Sequence, residues 1–412
     1  MQILVQKFGG SSVANLACMR RVQVKVAQGL ASGSKVIVVL SAQAGTTNRL
    51  LGMADEWSET PDPQELDVLV STGEQISVAL FTMLLKDAGI RVRSLLGHQV
   101  PIVTDNSFGH AWIKRIDTNR ITTLFNDYDV LVVAGFQGVS ESGDITTLGR
   151  GGSDTTAVAL AAVTKARLCE IFTDVEGVYT ADPNICPKAR KLQSVSYEEM
   201  LEMASMGAKV LEIRSVEFAK KYEVPVLVRS TFSDAPGTYV TKEEPCMEKI
   251  MVSGVAYDKN QARITVRSVP DKPGVAAALF GPLFENNLSV DMIVQNPSRD
   301  GVTDISFTVA RKDLKQSLAV MEQARKEVGG IDIISDDTIA KVSIIGVGMR
   351  NHAGVASQAF EALRQENINL MMISTSEIKI SCVIDAKYTE LAVQVLHDAF
   401  KLDTPGIDES SK

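Results

Sequence analysis

Cysteine is scarce and scattered in this chain. Its five residues (Cys18, Cys169, Cys186, Cys246 and Cys382) form no C-x-x-C pair. An odd, dispersed set argues against a disulfide framework or a zinc site, and for a reducing, cytoplasmic setting in which the thiols pack as small apolar groups. A basic excess is missing too: 42 Lys and Arg stand against 50 Asp and Glu, a formal net charge of −8. Such a chain is not built to neutralise nucleic-acid phosphates. No apolar run approaches a bilayer-spanning length, so no membrane partner is expected. Lys7 and a glycine pair interrupt the early apolar stretch, against a signal peptide. What is present is an ordinary core-forming composition, 45% hydrophobic and 22% charged, over 412 residues. That length calls for two or three domains.

The chain is organised around Lys7-Phe8-Gly9-Gly10-Ser11-Ser12. Ile3, Leu4 and Val5 read as a short buried strand, and Val13, Leu16, Val22 and Val26 follow at helical spacing. The hexapeptide is therefore a strand-to-helix turn, whose glycines let backbone N–H groups approach a ligand beside a positive helix end. It suits a phosphate, although the Walker order, with the lysine after the glycines, is absent. The alternative is a tight turn with a solvated lysine.

Up to about Pro245, short apolar runs (Lys35–Leu40, Ile90–Leu95, Val130–Ala134, Leu168–Phe172, Pro225–Val228) alternate with helical patterns (Gln64–Lys86, Lys114–Asn126, Asp154–Ala166, Val210–Lys221). This predicts an α/β domain over 1–245, a mostly parallel sheet flanked by helices. Ligands in such folds bind beyond the carboxyl ends of strands. Several segments there are suggestive. Ser41 to Asn48 is rich in hydroxyls and small residues. Leu148-Gly149-Arg150-Gly151-Gly152-Ser153-Asp154 opens a helix; its Ser and Asp could be N-caps, but Arg-Gly-Gly favours a carboxylate ligand held bidentately. Thr173-Asp174 closes a strand ahead of Tyr179-Thr180-Ala181-Asp182-Pro183, which is either an ordinary polar loop or a nucleoside site with Tyr179 on the base. Lys209 is either solvated or a phosphate contact. Glu74 is either a first-turn acid complementing a helix dipole, ahead of an apolar stripe of Ile76, Ala79, Leu80, Met83 and Leu84, or a cleft acid for a substrate ammonium.

Ser233–Met247 is a turn-rich boundary, with Pro236-Gly237 and Glu243-Glu244-Pro245. Beyond it the chain repeats with an offset of 80 residues: Pro273-Gly274-Val275-Ala276 against Ala353-Gly354-Val355-Ala356, and Asn287-Leu288 against Asn367-Ile368. Each copy reads as a ferredoxin-like βαββαβ unit, over 262–337 and 338–403. The loops Asp271–Gly274 and Asn351–Gly354 could bind the carboxylate of a small effector through their N–H groups. Gly346-Val347-Gly348 lacks the third glycine of a dinucleotide fingerprint and is structural.

In order, Lys-Phe-Gly-Gly-Ser-Ser, Ser-Thr-Gly-Glu, Gly-Arg-Gly-Gly-Ser-Asp, Phe-Thr-Asp and Tyr-Thr-Ala-Asp-Pro resemble the aspartate kinases of the amino-acid kinase family, and the repeats resemble their paired regulatory ACT domains. The resemblance runs to about Leu402. It implies transfer of the γ-phosphoryl of ATP, bound with Mg2+, to the β-carboxylate of aspartate, giving 4-phospho-aspartate on the route to lysine, threonine and methionine. On this implication Lys7 and Asp154 are catalytic. Lys7, Phe8, Gly9, Gly10, Ser11, Thr173, Asp174, Tyr179, Asn184, Lys209 and Val210 take the nucleotide. Ser41, Thr47, Glu74, Arg150, Gly151, Gly152 and Ser153 take aspartate. Lysine or threonine would act through Asp271, Lys272, Gly274, Gln295, Asn351, His352, Gly354, Val355, Asn369, Thr375 and Glu377. No resident metal is implied. The analogy further suggests oligomers through the repeats, a strand near 250–258 packing with the second repeat, and a shorter regulatory subunit started at Met247 or Met251. Another small-acid kinase and a non-catalytic amino-acid sensor are the alternatives.

Overall fold

The structure, a computed structural model, describes residues 2–206, 210–243, 252–296, 301–351 and 354–404. It divides into two compact units. The first comprises Met1–Val178, Lys191–Ser205 and Lys209–Met247, and the second Tyr179–Arg190, Met206–Ala208 and Glu248–Lys412.

In the first unit the strands are β1 (Ile3–Phe8), β2 (Lys35–Leu40), β3 (Val92–Leu95), β4 (Ile102–Thr104), β5 (Ile113–Ile116), β6 (Val130–Ala134), β7 (Gln137–Val139), β8 (Ile145–Thr147), β9 (Leu168–Thr173), β10 (Ser194–Ser196), β11 (Val226–Ser230) and β12 (Thr238–Thr241). Helices are α1 (Leu16–Ala31), α2 (Thr46–Trp57), α3 (Pro63–Asp87), α4 (Thr118–Asp127), α5 (Gly152–Thr164), α6 (Tyr197–Ser205) and α7 (Ile213–Tyr222). Eight strands form one sheet in the order β10-β12-β11-β9-β1-β2-β6-β3, parallel throughout except where β11 meets β12. β1 runs at its centre, between β2 and β9. Phe8, Val38, Leu40, Val132, Phe81 and Phe172 bury completely or nearly so against the α1–α3 side. Each such side chain contributes about 1.5–3 kcal/mol by leaving water.

Four short strands, β5-β4-β7-β8, make a second small sheet, for which the periodicity gave no signal. The pattern read as helical over Lys114–Asn126 is in fact a strand followed by a helix. Asp117 divides them, its carboxylate accepting from the Asn119 N–H as the N-cap of α4. The helix read over Gln64–Lys86 is present as α3, but the first-turn reading of Glu74 fails. It is 25 residues long and begins at Pro63, capped by Asp62, so Glu74 lies well inside it and is no first-turn acid. Ile76, Leu80 and Met83 of the expected stripe are exposed, whereas Glu74, Ser77, Val78, Phe81 and Leu85 are buried. By length and composition α3 could cross a bilayer, contrary to the reading of the runs. Half of its apolar window is buried inside the protein, as for a core helix.

The second unit adds β13 (Gly254–Asp258), β14 (Gln261–Pro270), β15 (Val290–Gln295), β16 (Val302–Ala310), β17 (Ile333–Asp336), β18 (Ile339–Ile345), β19 (Met372–Thr375) and β20 (Lys379–Asp385), with helices α8 (Val275–Glu285), α9 (Leu314–Val328), α10 (Gly354–Gln365) and α11 (Thr389–Ala399). The sheets run β15-β16-β14-β17 and β13-β18-β20-β19, antiparallel throughout. They share one topology, in which β13 takes in the second sheet the place that β17 takes in the first. The first repeat is thus inserted between β13 and β18. Asn287 and Asn367, equivalent in the repeats, both adopt left-handed φ of 54° just after a helix, where Asn tolerates that conformation.

Tyr179–Arg190 leaves the first unit after Val178 and rejoins it at Lys191. Ala181 and Cys186 enter the core of the second repeat with Val255, Val342, Ile384 and Leu396. The Val255 N–H donates to the Thr180 carbonyl at 2.7 Å, and the Tyr257 hydroxyl to Asp182 at 3.0 Å.

Candidate active site and regulatory repeats

The carboxyl ends of β1, β2, β6 and β9 come together through backbone bonds. The Gly9 N–H donates to the Phe172 carbonyl at 3.2 Å, Ser41 N–H to Phe8 at 3.1 Å, and Gly135 N–H to Leu40 at 3.0 Å. Phe8 and Phe172 stack with ring centroids 4.6 Å apart beneath them. Lys7 lies opposite Val39 and Ile171 in register, and its Nζ is 2.5 Å from Asp154 Oδ1. Both side chains are about nine-tenths buried. Removing one partner would leave an uncompensated buried charge, so neither is a solvated surface group.

Gly10 and Gly151 are among the positions here that demand glycine. A Cβ on Gly10 would stand 2.8 Å from the Ala42 carbonyl oxygen, so a side chain would push the Ser41–Asn48 segment away. Gly151, with φ of 66°, opens α5, and a Cβ there would meet the Glu212 side chain at 2.4 Å. Ser12 is fixed by a 2.7 Å hydroxyl bond to Thr231, while Ser11 is partly exposed on the same turn.

Glu74 reaches the same strand ends from α3. Its Oε1 accepts from the Ala42 N–H at 3.0 Å, and its Oε2 is buried without a partner. Burial pushes this carboxyl up to about 7, against the pull of the Ala42 bond. An orphaned carboxylate oxygen is a suitable receiver for an ammonium group. Arg150 is exposed just before Gly151, and Ser153 is buried in the first turn of α5. Thr47 is the second residue of α2, which starts at Thr46 just after Gly45, whose φ is 81°.

Glu212 escaped the sequence reading. It is the residue before α7, and its carboxyl is raised by burial first and by the charge of Asp154 second, with Arg150 acting oppositely. No motif surrounds it; only its position ahead of an amphipathic helix could have drawn notice.

Of the expected nucleotide contacts, Lys7, Phe8, Gly9, Gly10, Ser11 and Thr173 gather at these strand ends. Asp174 is exposed and accepts from the Thr173 hydroxyl at 3.1 Å. Val210 is half-buried ahead of α7. Tyr179 and Asn184 belong to the segment built into the second unit. There the Asn184 amide donates to Asp182 at 2.9 Å. Lys209 lies outside the described residues, as do His352, Met247 and Met251. Among the described residues no three His, Cys, Asp or Glu side chains are grouped to hold a metal ion.

In the second unit, Asp271, Lys272 and Gly274 form the turn into α8; the Asp271 N–H donates to the Gly301 carbonyl at 2.9 Å. Space beside Gly274 is open, as it is beside Gly354 at the start of α10. Val355 is buried next to it, and Asn351 ends the 3-10 turn before it. Gln295 and Thr375 are exposed at equivalent ends of the edge strands β15 and β19, and Asn369 and Glu377 are exposed around β19.

Residues 2–230 match the amino acid kinase family, and residues 262–329 and 342–400 each match an ACT domain. The chain is 53% identical to aspartate kinase of Pseudomonas putida, covering 98% of this chain and 99% of that one. It is 49% identical to aspartokinase of Helicobacter pylori, over 97% of this chain and 100% of that one. Among solved structures, E. coli aspartokinase III in complex with aspartate and ADP superposes with a TM-score of 0.79, at 27% identity, over 97% of this chain and 99% of that one. The form of that enzyme holding lysine and aspartate gives 0.74, at 27% identity, over 97% and 100%. The chain belongs to the amino acid kinase family and, within it, to the aspartate kinases that carry two ACT domains.

Proposed function

We propose that the aspartate kinase reaction of this chain runs at the ends of β1, β2, β6 and β9, and that an amino acid bound to the repeats controls it. The reaction moves the γ-phosphoryl of MgATP to the β-carboxylate of L-aspartate, a first step toward lysine, threonine and methionine. The carboxylate is ionised near neutral pH and needs no general base. The protein's work is positioning and charge neutralisation. Lys7 neutralises the transferring phosphoryl, and Asp154 holds the lysine ammonium in place. Glu74 receives the substrate ammonium, which restores the carboxylate charge that burial suppresses. Arg150 takes the substrate α-carboxylate, with Ser41, Thr47 and Ser153 beside it; Glu212 steadies Arg150 before substrate arrives. Mg2+ would come with the nucleotide and would supply further neutralisation of its phosphate charge.

The observation that carries this reading is the buried Lys7–Asp154 pair at the strand ends. Retention of Lys7, Glu74, Arg150 and Asp154 speaks against a non-catalytic sensor, and Arg-Gly-Gly-Ser-Asp with the repeat pair against a kinase of another small acid. The E. coli enzyme's complexes with aspartate, ADP and lysine support the substrate pair and make lysine a candidate effector, with threonine beside it. The repeats serve as the oligomer contact, a subunit started near Met247 or Met251 is a further possibility of the same reading, and the setting is cytoplasmic. The test is ATP turnover with aspartate against glutamate, with lysine and threonine added singly and together. Turnover on glutamate alone, or insensitivity to both amino acids, overturns the respective half.

A further inference from the structure

The face of the central sheet opposite Lys7 carries a polar belt that the kinase reaction does not use. Parallel strands covered on both faces are normally apolar throughout, yet Gln6, Glu170 and Arg229 stand on β1, β9 and β11. Gln6 and Glu170 are directly opposite in register. The Gln6 amide donates to Glu170 Oε2 at 2.8 Å and to the Lys25 carbonyl at 3.3 Å. Those two acceptors fix its orientation, since the flipped amide would present oxygen to oxygen. Gln6 is 2% exposed, and its Oε1 consequently has no partner. Arg229 reaches Glu170 Oε1 with one terminal nitrogen at 3.1 Å, while its buried Nε–H is also unpartnered.

Gln6 and Arg229, the residues that carry these orphans, both line a cavity of about 150 Å³ between α1 and the sheet, a size that elsewhere accommodates a molecule as large as benzene. Lys25, Arg167, Arg229 and Glu170 line it, an excess of two positive charges. Lys25 is paired with Asp234, which is 89% exposed in its side chain and not part of the lining. Arg167 donates to the hydroxyls of Ser32 and Ser34, both at 3.0 Å.

We propose that this cavity binds a small oxyanion that also carries a hydroxyl donor, of which inorganic hydrogen phosphate is the simplest. Its oxygens accept from Arg229 Nε and the Arg167 guanidinium, and its hydroxyl donates to Gln6 Oε1. Sulfate, which has no proton near neutral pH, satisfies the cations but leaves the Gln6 acceptor unpaired. The site is separate from the reaction centre, because Gln6 and Lys7 are consecutive on β1 and so point to opposite faces.

The experiment is calorimetry on the full chain, with inorganic phosphate and sulfate titrated separately at equal ionic strength. Aspartate and a non-hydrolysable MgATP analogue are present to fill the Lys7 cleft. Phosphate is expected to bind once per chain, about 10-fold tighter than sulfate, the scale of one hydrogen bond. Gln6→Leu should weaken phosphate about 10-fold and erase the preference over sulfate, while Lys7→Ala leaves phosphate binding unchanged. That last arm separates this site from the proposed reaction centre, whose failure would leave the phosphate result standing. Equal binding of both anions, no binding of phosphate, or phosphate binding untouched by Gln6→Leu each overturns the proposal. Should Gln6→Leu fail to fold, the phosphate-to-sulfate ratio of the unaltered chain decides.

Discussion

Lys7 and Asp154 meet at 2.5 Å although they are far apart in sequence, one at the end of the first strand and one in the first turn of α5. The pairing places a buried ammonium beside a glycine-rich turn and keeps it from folding back into solvent. Asp154 sits where the helix's free N–H groups also favour a negative charge. The end of β1 and the first turn of α5 are therefore tied by this ion pair.

Removing the lysine should accordingly stop the chemistry more than the binding. Lys7→Ala is expected to lower kcat by at least about 100-fold, the scale for losing a preorganised charge-stabilising donor. Steady-state kinetics on a variant shown to be folded by circular dichroism checks this. Near-normal turnover would remove Lys7 from the reaction.

Glu74 gives a pH dependence of known sign. Its folded-state value of about 7 lies above the ordinary 4.5, so the free enzyme holds a proton that must leave before an ammonium can be received. The KM for aspartate should rise about 10-fold per unit as pH falls below 7, with kcat changing less. Stability runs the other way. A raised carboxyl value stabilises the folded state at pH below 4.5, and this contribution is lost as pH rises through 7. Glu74→Gln should therefore make the substrate-free protein more stable at pH 8, by up to about 3 kcal/mol. Thermal melting at pH 6 and pH 8 reads the difference; equal gains at both would sink the assignment.

Arg150 should distinguish the two substrates. A guanidinium grips a carboxylate at two points and an ammonium at one. Arg150→Lys is expected to raise the KM for aspartate about 10-fold or more and leave that for ATP within about twofold. Equal effects on both would count against the role.

Much of this was legible in the sequence wherever one physical signal stood alone. Val36–Val39 is a continuous β-branched run, and only a strand buried on both faces tolerates it. The repeat was legible because Pro273-Gly274 and Asn287 recur as Ala353-Gly354 and Asn367, the two asparagines at left-handed backbone positions. The phase of α3 was not, because apolar residues surround it and its buried face is marked by Glu74 and Ser77, which hydropathy places outside. Strands such as Ile102–Thr104 are too short for an alternation to register. Gln6, Glu170 and Arg229 were visible as polar interruptions of apolar strands, but their meeting depends on strand order, which periodicity does not contain. The same holds for Glu212, which approaches Gly151 only through the packing of α7 on α5.

The segment Tyr179–Arg190 yields the last test, since it carries residues implied in ATP binding yet belongs to the second unit's core. Thr180 Oγ1 accepts from the Arg190 N–H at 2.9 Å and bonds His397 Nε2 at 3.0 Å, with His397 fully buried. Burial lowers the His397 value below 6.5. An unfolded chain then takes up the proton more readily than the folded one, so this histidine's contribution is full above pH 6.5 and declines as pH falls below it. Thr180→Val deprives the buried His397 and the half-buried Arg190 N–H of one partner and should cost about 1–3 kcal/mol. If Tyr179 and Asn184 hold the nucleotide, the same substitution should raise the KM for ATP severalfold and leave the KM for aspartate unchanged. Denaturant unfolding at pH 5.5 and pH 7.5 measures the first effect and initial-rate kinetics the second. A destabilised variant with an unaltered KM for ATP would show that this segment holds the second unit together without touching the nucleotide.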